Sequence, residues 1–372
     1  MKRVDRIAFV KRGTFSHTNQ CVLNALRAEF PKCSVDVIDV RDLRVLRWPR
    51  LPHLGLAALK YYGLASLRNK SAFMRSLAFT PTYVSEIRRQ LLRRLQRQRY
   101  LFTFQTQGLF DASVPGTPHF VYTDHTHLAN LEYPSFRRDQ LHCREWVDQE
   151  RTVYHRAAVT FTMSSNIARS LIRDYDCRPE QVQCVYVGTN AAPNLRGSEN
   201  GGEDKKILFV GVDWERKGGP ILVEAFRRVL KVHPTAELIV VGCSPKPTVP
   251  QCTVVGRVPL EQVSAYYEKA SILCVPTRIE PFGIVFIEAL AHGVPVVATR
   301  IGALPDFVLD DETGYLVEPD DVEDLAARLI DLIGDHARQQ RLGQRGRMLV
   351  ESRYTWPHVA ATMRKTIERH LS

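Results

Sequence analysis

The chain alternates short apolar runs with longer amphipathic ones almost from end to end, and that alternation constrains its fold more than any other feature. Apolar runs of strand length stand at Arg6–Val10, Val35–Val40, Tyr100–Gln105, Phe120–Thr123, Ala158–Met163 and Val182–Val187. A second series stands at Lys206–Val210, Ala236–Val241, Thr253–Val255, Ile272–Pro276, Val294–Ala298 and Gly314–Val317. Strands of this kind, separated by helical stretches, build parallel sheets covered by helices on both faces. Between the two series lies "GTNAAPNLRGSENGGEDK", Gly188 to Lys205, rich in Gly, Asn and Ser and without an apolar period. It reads as a linker. The expected architecture is α/β: two doubly wound domains, 1–188 and 206–354, joined by a linker over 189–205 and facing one another. Ligands of such sheets sit beyond the carboxyl ends of the strands, so a site is expected between the domains.

Other global features agree. A chain of 372 residues is too long for one ordinary core. Its 44% hydrophobic and 24% charged residues exclude a disordered chain. No run of about 20 residues lacks charge or punctuation, so no membrane-spanning helix is expected. The start, MKRVDRIAFVKRG, has too short an apolar run for a secretory leader and reads as a first strand. Eight scattered cysteines without a C-x-x-C pair suggest neither disulfides nor a zinc knuckle, and a cytoplasmic location is expected. The net charge of +11 points to an anionic partner: a nucleotide, a phospholipid surface or a nucleic acid.

The segment between about Leu51 and Tyr100 carries apolar and basic residues but no clear strand. Within it, Val84–Arg99 spaces Val84, Ile87, Leu91 and Leu95 on one helical face, with six arginines against the single Glu86. This is either a solvated surface helix or an amphipathic face for an anionic membrane surface, which would make the protein peripheral at the inner membrane face.

The chemistry concentrates in "CVPTRIEPFGIVFIEALAHGVPVVAT", Cys274 to Thr299. A strand ends near Pro276 and a helix begins near Gly283. The unpaired N–H groups and dipole of that helix start favour an anion such as a phosphate. Gly283 allows close backbone approach. Glu280 precedes the helix and Glu288 lies inside it, so the two acids can hold hydroxyl groups on either side of a bound phosphate. Alone, they read sooner as a solvated loop acid and an ordinary helix acid. "ILFVGVDWERKGG", Ile207 to Gly219, adds strand, Gly211, and the pair Arg216-Lys217 just before another helix, where a diphosphate would be neutralised. After Gly256, the backbone at Arg257 and Val258 stands where it would edge a nucleobase.

In order and spacing, Gly211…Arg216-Lys217-Gly218, Gly256, Glu280-Pro281-Phe282-Gly283…Glu288, Gly293-Val294-Pro295-Val296, Gly302 and Gly314 resemble the retaining glycosyltransferases of family 4 (glycosyl transferases group 1). The resemblance spans about 150 residues and is looser in the first half. It implies the GT-B fold, two Rossmann-like domains around a nucleotide-sugar cleft, with a last helix, 355–372, that packs back on the first domain. It implies that Arg216 and Lys217 bind the donor diphosphate, that Glu280 holds the transferred sugar, and that the backbone of Phe282, Gly283, Ile284 and Val285 cradles sugar and phosphate. Glu288 would take the ribose hydroxyls. Many members carry an arginine directly after the strand glycine; this chain has Val212, and Arg216 would supply the charge instead.

In the first half, "HFVYTDHTHLAN" places Asp124, His125, Thr126 and His127 at a strand's carboxyl end. The resemblance makes His125 the contact to the transferred sugar, with Asp124, Thr126 and the Gly13 loop on the acceptor side. The competing readings are plain loop polarity, the stronger of the two, and a metal on Asp124, His125 and His127, for which no further ligand at fixed spacing speaks. The implied activity is transfer of a hexose from a nucleoside diphosphate sugar to a hydroxyl of a glycan, lipid-linked or small-molecule acceptor. It proceeds with retention, without metal or cofactor and without nucleic acid. The rivals are a basic membrane- or nucleic-acid-binding protein with a degenerate cleft, and a GT-B nucleotide-sugar epimerase.

Overall fold

The computed structural model describes residues 5–15, 18–43, 45, 51–64, 68–189 and 205–371. Most of the expected linker, residues 190–204, lies outside the described residues. The chain forms two compact units: residues 1–131, 137–185 and 360–372, and residues 132–136 and 186–359.

The first unit is built on six parallel strands: β1 (Arg6–Lys11), β2 (Ser34–Asp39), β3 (Phe102–Thr106), β4 (His119–Thr123), β5 (Val159–Thr162) and β6 (Val182–Cys184), in the order β2-β1-β3-β4-β5-β6. Pairing is parallel throughout, as continuous apolar strands require. Helices α1 (Thr18–Glu29), α2 (Leu51–Tyr62), α3 (Lys70–Ala78), α4 (Pro81–Leu95), α5 (Arg144–Arg156) and α6 (Ser165–Arg173) accompany them. Among the described residues, the strandless segment 51–100 thus carries three helices.

Helix α4 starts where Thr80 caps the N–H of Tyr83 and Pro81 occupies the first turn. Its apolar side does not face outward. Ile87, Leu91 and Leu95 pack with Ala8, Val10 and Ile38 of the sheet and with Val40 just past β2, and Val84 joins the cluster around Trp146 and Tyr154. Leu91 and Leu95 are fully buried, and truncating either to Ala would cost about 2–5 kcal/mol. The expectation that this apolar face touches lipid is therefore overturned: the core has taken it. Arg88 is also bound inward, to Asp111 at 3.1 Å, and Arg89 pairs with Glu86.

The second unit holds β7 (Lys206–Val210), β8 (Glu237–Val241), β9 (Cys252–Gly256), β10 (Ile272–Val275), β11 (Val296–Thr299) and β12 (Gly314–Val317), again all parallel. Helices α7 (Gly219–Val232), α8 (Leu260–Tyr267), α9 (Ile284–Ala291), α10 (Val322–Ile333) and α11 (His336–Arg353) accompany them. The order is β12-β11-β10-β7-β8-β9. From β7 the chain winds outward through β8 and β9, then returns to place β10 on the other side of β7. The direction of winding reverses between β7 and β10, and the crevice at that point is where doubly wound sheets bind ligands. The last helix, α12 (Trp356–Leu371), begins in the second unit and has most of its length in the first.

Candidate functional site

The loops that leave β7 and β10 are stitched together at this switch point. After β7, Gly211 leads into a turn in which Asp213 accepts from the N–H of Arg216 at 3.1 Å. Gly218 then caps α7 with φ of 77°, and a Cβ there would stand 1.9 Å from the carbonyl oxygen of Pro276. Only glycine lets the two loops approach this closely. The Arg216 guanidinium donates to the carbonyl of Ile279 at 2.7 Å, and the N–H of Arg278 donates to the Arg216 carbonyl at 2.9 Å. Thr277 adds a bond from its hydroxyl to the Ile279 carbonyl at 3.0 Å.

Two charges are buried in this seam. The Lys217 ammonium donates to Oε2 of Glu280, and both side chains are almost wholly enclosed. Burying either charge alone would be costly; each offsets the desolvation of the other. Arg216 sits one residue away but braces the backbone next to Glu280, whereas Val212 points to solvent with 66% of its surface exposed.

Beyond Glu280 the chain turns through Gly283, whose φ is 90°, and starts α9 without a side-chain cap. A Cβ on Gly283 would lie 2.6 Å from the Phe286 ring. Phe282 and Phe286 both approach Phe307, at 5.9 and 6.4 Å between ring centroids, which fixes the helix start from below. Ile284 and Val285 form the first turn. Glu288 is buried in the same helix and accepts from the Tyr267 hydroxyl at 3.1 Å. Burial pushes its carboxyl up to about 7, against the opposing pull of that hydrogen bond. His292 closes the helix by bonding the Glu288 carbonyl at 2.8 Å. Gly256, with φ of 82°, ends β9; Arg257 after it is exposed and Val258 half-buried.

In the first unit, the loop after β4 is drawn into its own framework. The Thr123 hydroxyl donates to the His125 carbonyl at 2.8 Å, and the Thr126 hydroxyl pairs with Ser170 at 2.8 Å. The His127 N–H donates to both oxygens of Glu150, at 3.2 and 3.3 Å. The His127 ring accepts from the N–H of His142 at 2.8 Å and stacks on the His142 ring at 4.3 Å. His127 is therefore committed to packing, and among the described residues no group of three His, Cys, Asp or Glu stands together as a metal site. Burial lowers the His125 ring to about 4 and, with His142 and His125 nearby, the His127 ring to about 3. Asp124 is half-buried beside them. At the end of β1, Gly13 adopts φ of 68°; its N–H faces the Asp39 carboxylate at 3.3 Å, and its carbonyl accepts from Asn19 at 2.8 Å.

Sequence reading alone missed Tyr267, Asp213 and Thr277. Tyr267 had a signal, being the second of paired tyrosines at the end of a helix that leads into β10. Asp213 and Thr277 act through loop geometry that spacing does not encode.

Residues 204–335 match the family described as Glycosyl transferases group 1. An uncharacterized glycosyltransferase of Methanocaldococcus jannaschii is 30% identical over 178 residues, which covers 45% of this chain and 49% of that protein. The MMP alpha-(1->4)-mannosyltransferase of Mycolicibacterium hassiacum is 30% identical over 233 residues, 59% of this chain and 56% of the relative. The chain thus spans about half the length of these curated relatives. Among solved structures, the sucrose-phosphate synthase from Thermosynechococcus elongatus superposes with a TM-score of 0.68 at 20% identity, covering 99% of both chains. That likeness extends to the whole chain and establishes the two-unit GT-B fold.

Proposed function

We propose, from a chain whose residues 204–335 belong to the glycosyl transferases group 1 family, that this protein is a retaining hexosyltransferase using a nucleoside diphosphate sugar. The observation that carries the reading is the seam at the β7–β10 switch point. There the buried Lys217–Glu280 pair lies beside the glycine-started helix α9, and Glu288 lies within that helix.

In this reading the donor phosphates meet the start of α9 at the backbone of Phe282, Gly283, Ile284 and Val285. Lys217 exchanges its bond with Glu280 for the leaving phosphate, and Glu280 is released to hold hydroxyls of the transferred sugar. Glu288, held by Tyr267, takes the ribose hydroxyls, and the backbone at Arg257 and Val258 edges the base. Arg216 keeps the Glu280 loop in place and adds charge near the diphosphate. The bond between the anomeric carbon and the phosphate oxygen breaks, and the acceptor oxygen bonds to that carbon from the same face. The acceptor proton passes to the leaving phosphate. Lys217 and the helix start stabilise the phosphate charge, so no metal or other cofactor is assigned.

Residues 206–354 serve the donor. Residues 1–188 with the final helix serve the acceptor, through the Gly13 loop and Asp124, His125 and Thr126. The acceptor hydroxyl belongs to a glycan, a lipid-linked saccharide or a small molecule; a nucleic acid is not assigned. The reading places the enzyme in the cytoplasm, peripheral at the membrane face. The test is release of nucleoside diphosphate from a panel of donor sugars, with and without saccharide acceptors. Acceptor-dependent release from one donor supports the reading. Conversion of the donor sugar without any acceptor would replace it with an epimerase.

A further inference from the structure

The long interval without acid is the feature the glycosyltransferase reading does not absorb. From Leu43 to Ser85 the sequence contains no Asp or Glu, but it contains Arg44, Arg47, Arg50, Lys60, Arg68, Lys70 and Arg75. Its described parts include α2 and α3, which pack together through a small cluster of Leu54, Ala58 and Leu77, with Phe73 and Tyr83 against it.

Helix α2 is inverted relative to an ordinary surface helix. Its buried positions are Leu54, Ala57 and Ala58, mostly small, and the half-buried Tyr62 donates to the Phe79 carbonyl at 2.7 Å. Its outward stripe carries Leu56, Leu59 and Lys60, at three- and four-residue spacing and hence on one face. Leu56 is 66% exposed, and Leu64, just past the helix, 81%. On α3, Lys70 and Met74 are exposed four residues apart. A water-facing helix normally sends its large apolar side chains inward. Moreover, none of the ion pairs among the described residues involves Lys60, Arg68 or Lys70, in contrast to the paired Arg88 and Arg89 of α4.

We infer that the outer face of α2 and α3 docks on an anionic lipid bilayer. Exposed leucines next to cations that no carboxylate engages, with no acid in the same stretch, have the composition of an interfacial helix: apolar side chains enter the acyl boundary while Lys and Arg reach head groups. The absence of any carboxylate from α2 and α3 favours a lipid surface over a protein partner, whose mixed charges would call for both signs; Glu86 of α4, which lines a hollow with His53 and Leu54, is already engaged by Arg89. This face differs from the α4 face that the sequence suggested, because the leucines of α4 are spent on the core. The inference is independent of the donor site.

The test is sedimentation of the full chain with vesicles of two parts phosphatidylcholine to one part phosphatidylglycerol, at low salt, against pure phosphatidylcholine vesicles. Binding to the anionic vesicles alone is expected. The exposed triple variant Leu56→Gln/Leu64→Gln/Met74→Gln, and separately the charge variant Lys60→Glu/Lys70→Glu, should each lower the bound fraction at least about fivefold. Both should keep wild-type unfolding midpoints, since every substituted side chain is exposed. Hydrolysis or transfer at the donor site should stay unchanged, which separates failure here from failure of the glycosyltransferase reading. Absence of binding to anionic vesicles, or full binding by both variants, would overturn the inference. So would a concentration-dependent dimer abolished by the triple variant, which would give the leucines to a second copy.

Discussion

Lys217 and Glu280 are 63 residues apart in sequence, yet their side chains form a buried ion pair at the seam between the loops that follow β7 and β10. Both residues are buried from water, so each charge depends on the other until a ligand intervenes. The pair is both a structural tie and, in the proposed reaction, the group that a donor diphosphate must reorganise.

That dual role gives a distinctive mutational pattern. Lys217→Met leaves Glu280 buried without a counter-charge and should destabilise the protein by about 3–5 kcal/mol. Adding Glu280→Gln removes the stranded charge, and the double variant should recover most of that loss. Turnover should fall at least about a hundredfold in both, since one contact to transition-state charge is worth roughly 3 kcal/mol. Urea unfolding beside donor turnover checks both halves. A double variant no more stable than Lys217→Met would mean that the pair is not the tie described.

Gly218 is a steric requirement. A methyl group there would collide with the Pro276 carbonyl at 1.9 Å in a backbone with φ of 77°. Gly218→Ala should therefore destabilise by at least about 2 kcal/mol and open the seam. Gly116, also at positive φ but with nothing within 4 Å of its Cβ position, is the control. Its Ala variant should lose less, and thermal unfolding of the two compares them.

The fold was largely legible in the sequence because twelve apolar runs bounded by turns leave few alternatives to parallel sheets. The strand ends shifted by one to three residues where pairing, not polarity, decides the boundary, as in β6, which stops at Cys184 rather than Val187. Helix α4 shows the limit. Its period revealed an amphipathic helix, but whether the apolar side meets a sheet or a membrane depends on residues distant in sequence. At the site, Glu280, Gly283 and Glu288 were found by spacing along one segment. The partnership of Lys217 with Glu280, of Arg216 with Ile279 and of Tyr267 with Glu288 joins separate segments, and no single stretch encodes it.

Glu288 should also give a pH signature. Burial raises its carboxyl from the ordinary 4.5 to about 7. A raised acid adds stability below its unfolded value, and the contribution is lost as pH rises through the folded value. Relative to Glu288→Gln, which does not titrate, the wild-type chain should lose up to about 3 kcal/mol between pH 4.5 and 7. Urea unfolding of both proteins at several pH values measures the difference. A gap that stays constant would show that Glu288 is not desolvated.

Charge stabilisation by Lys217 and the start of α9 predicts that transfer survives EDTA and that the product keeps the donor's anomeric configuration. Anomeric proton couplings of the product, recorded with and without chelator, report both. Loss of turnover in EDTA restored by a divalent ion, or an inverted product, would contradict the proposed reaction.

The central claim is that Glu288 and Glu280 divide the donor between nucleoside and sugar. Calorimetric titration of wild type, Glu288→Ala and Glu280→Ala with uridine and guanosine diphosphates tests it most directly. The account predicts that one of these nucleotides binds the wild-type chain, that Glu288→Ala weakens this binding at least about tenfold through lost ribose contacts, and that Glu280→Ala retains it. Equal losses in both variants, or undiminished binding by Glu288→Ala, would contradict it.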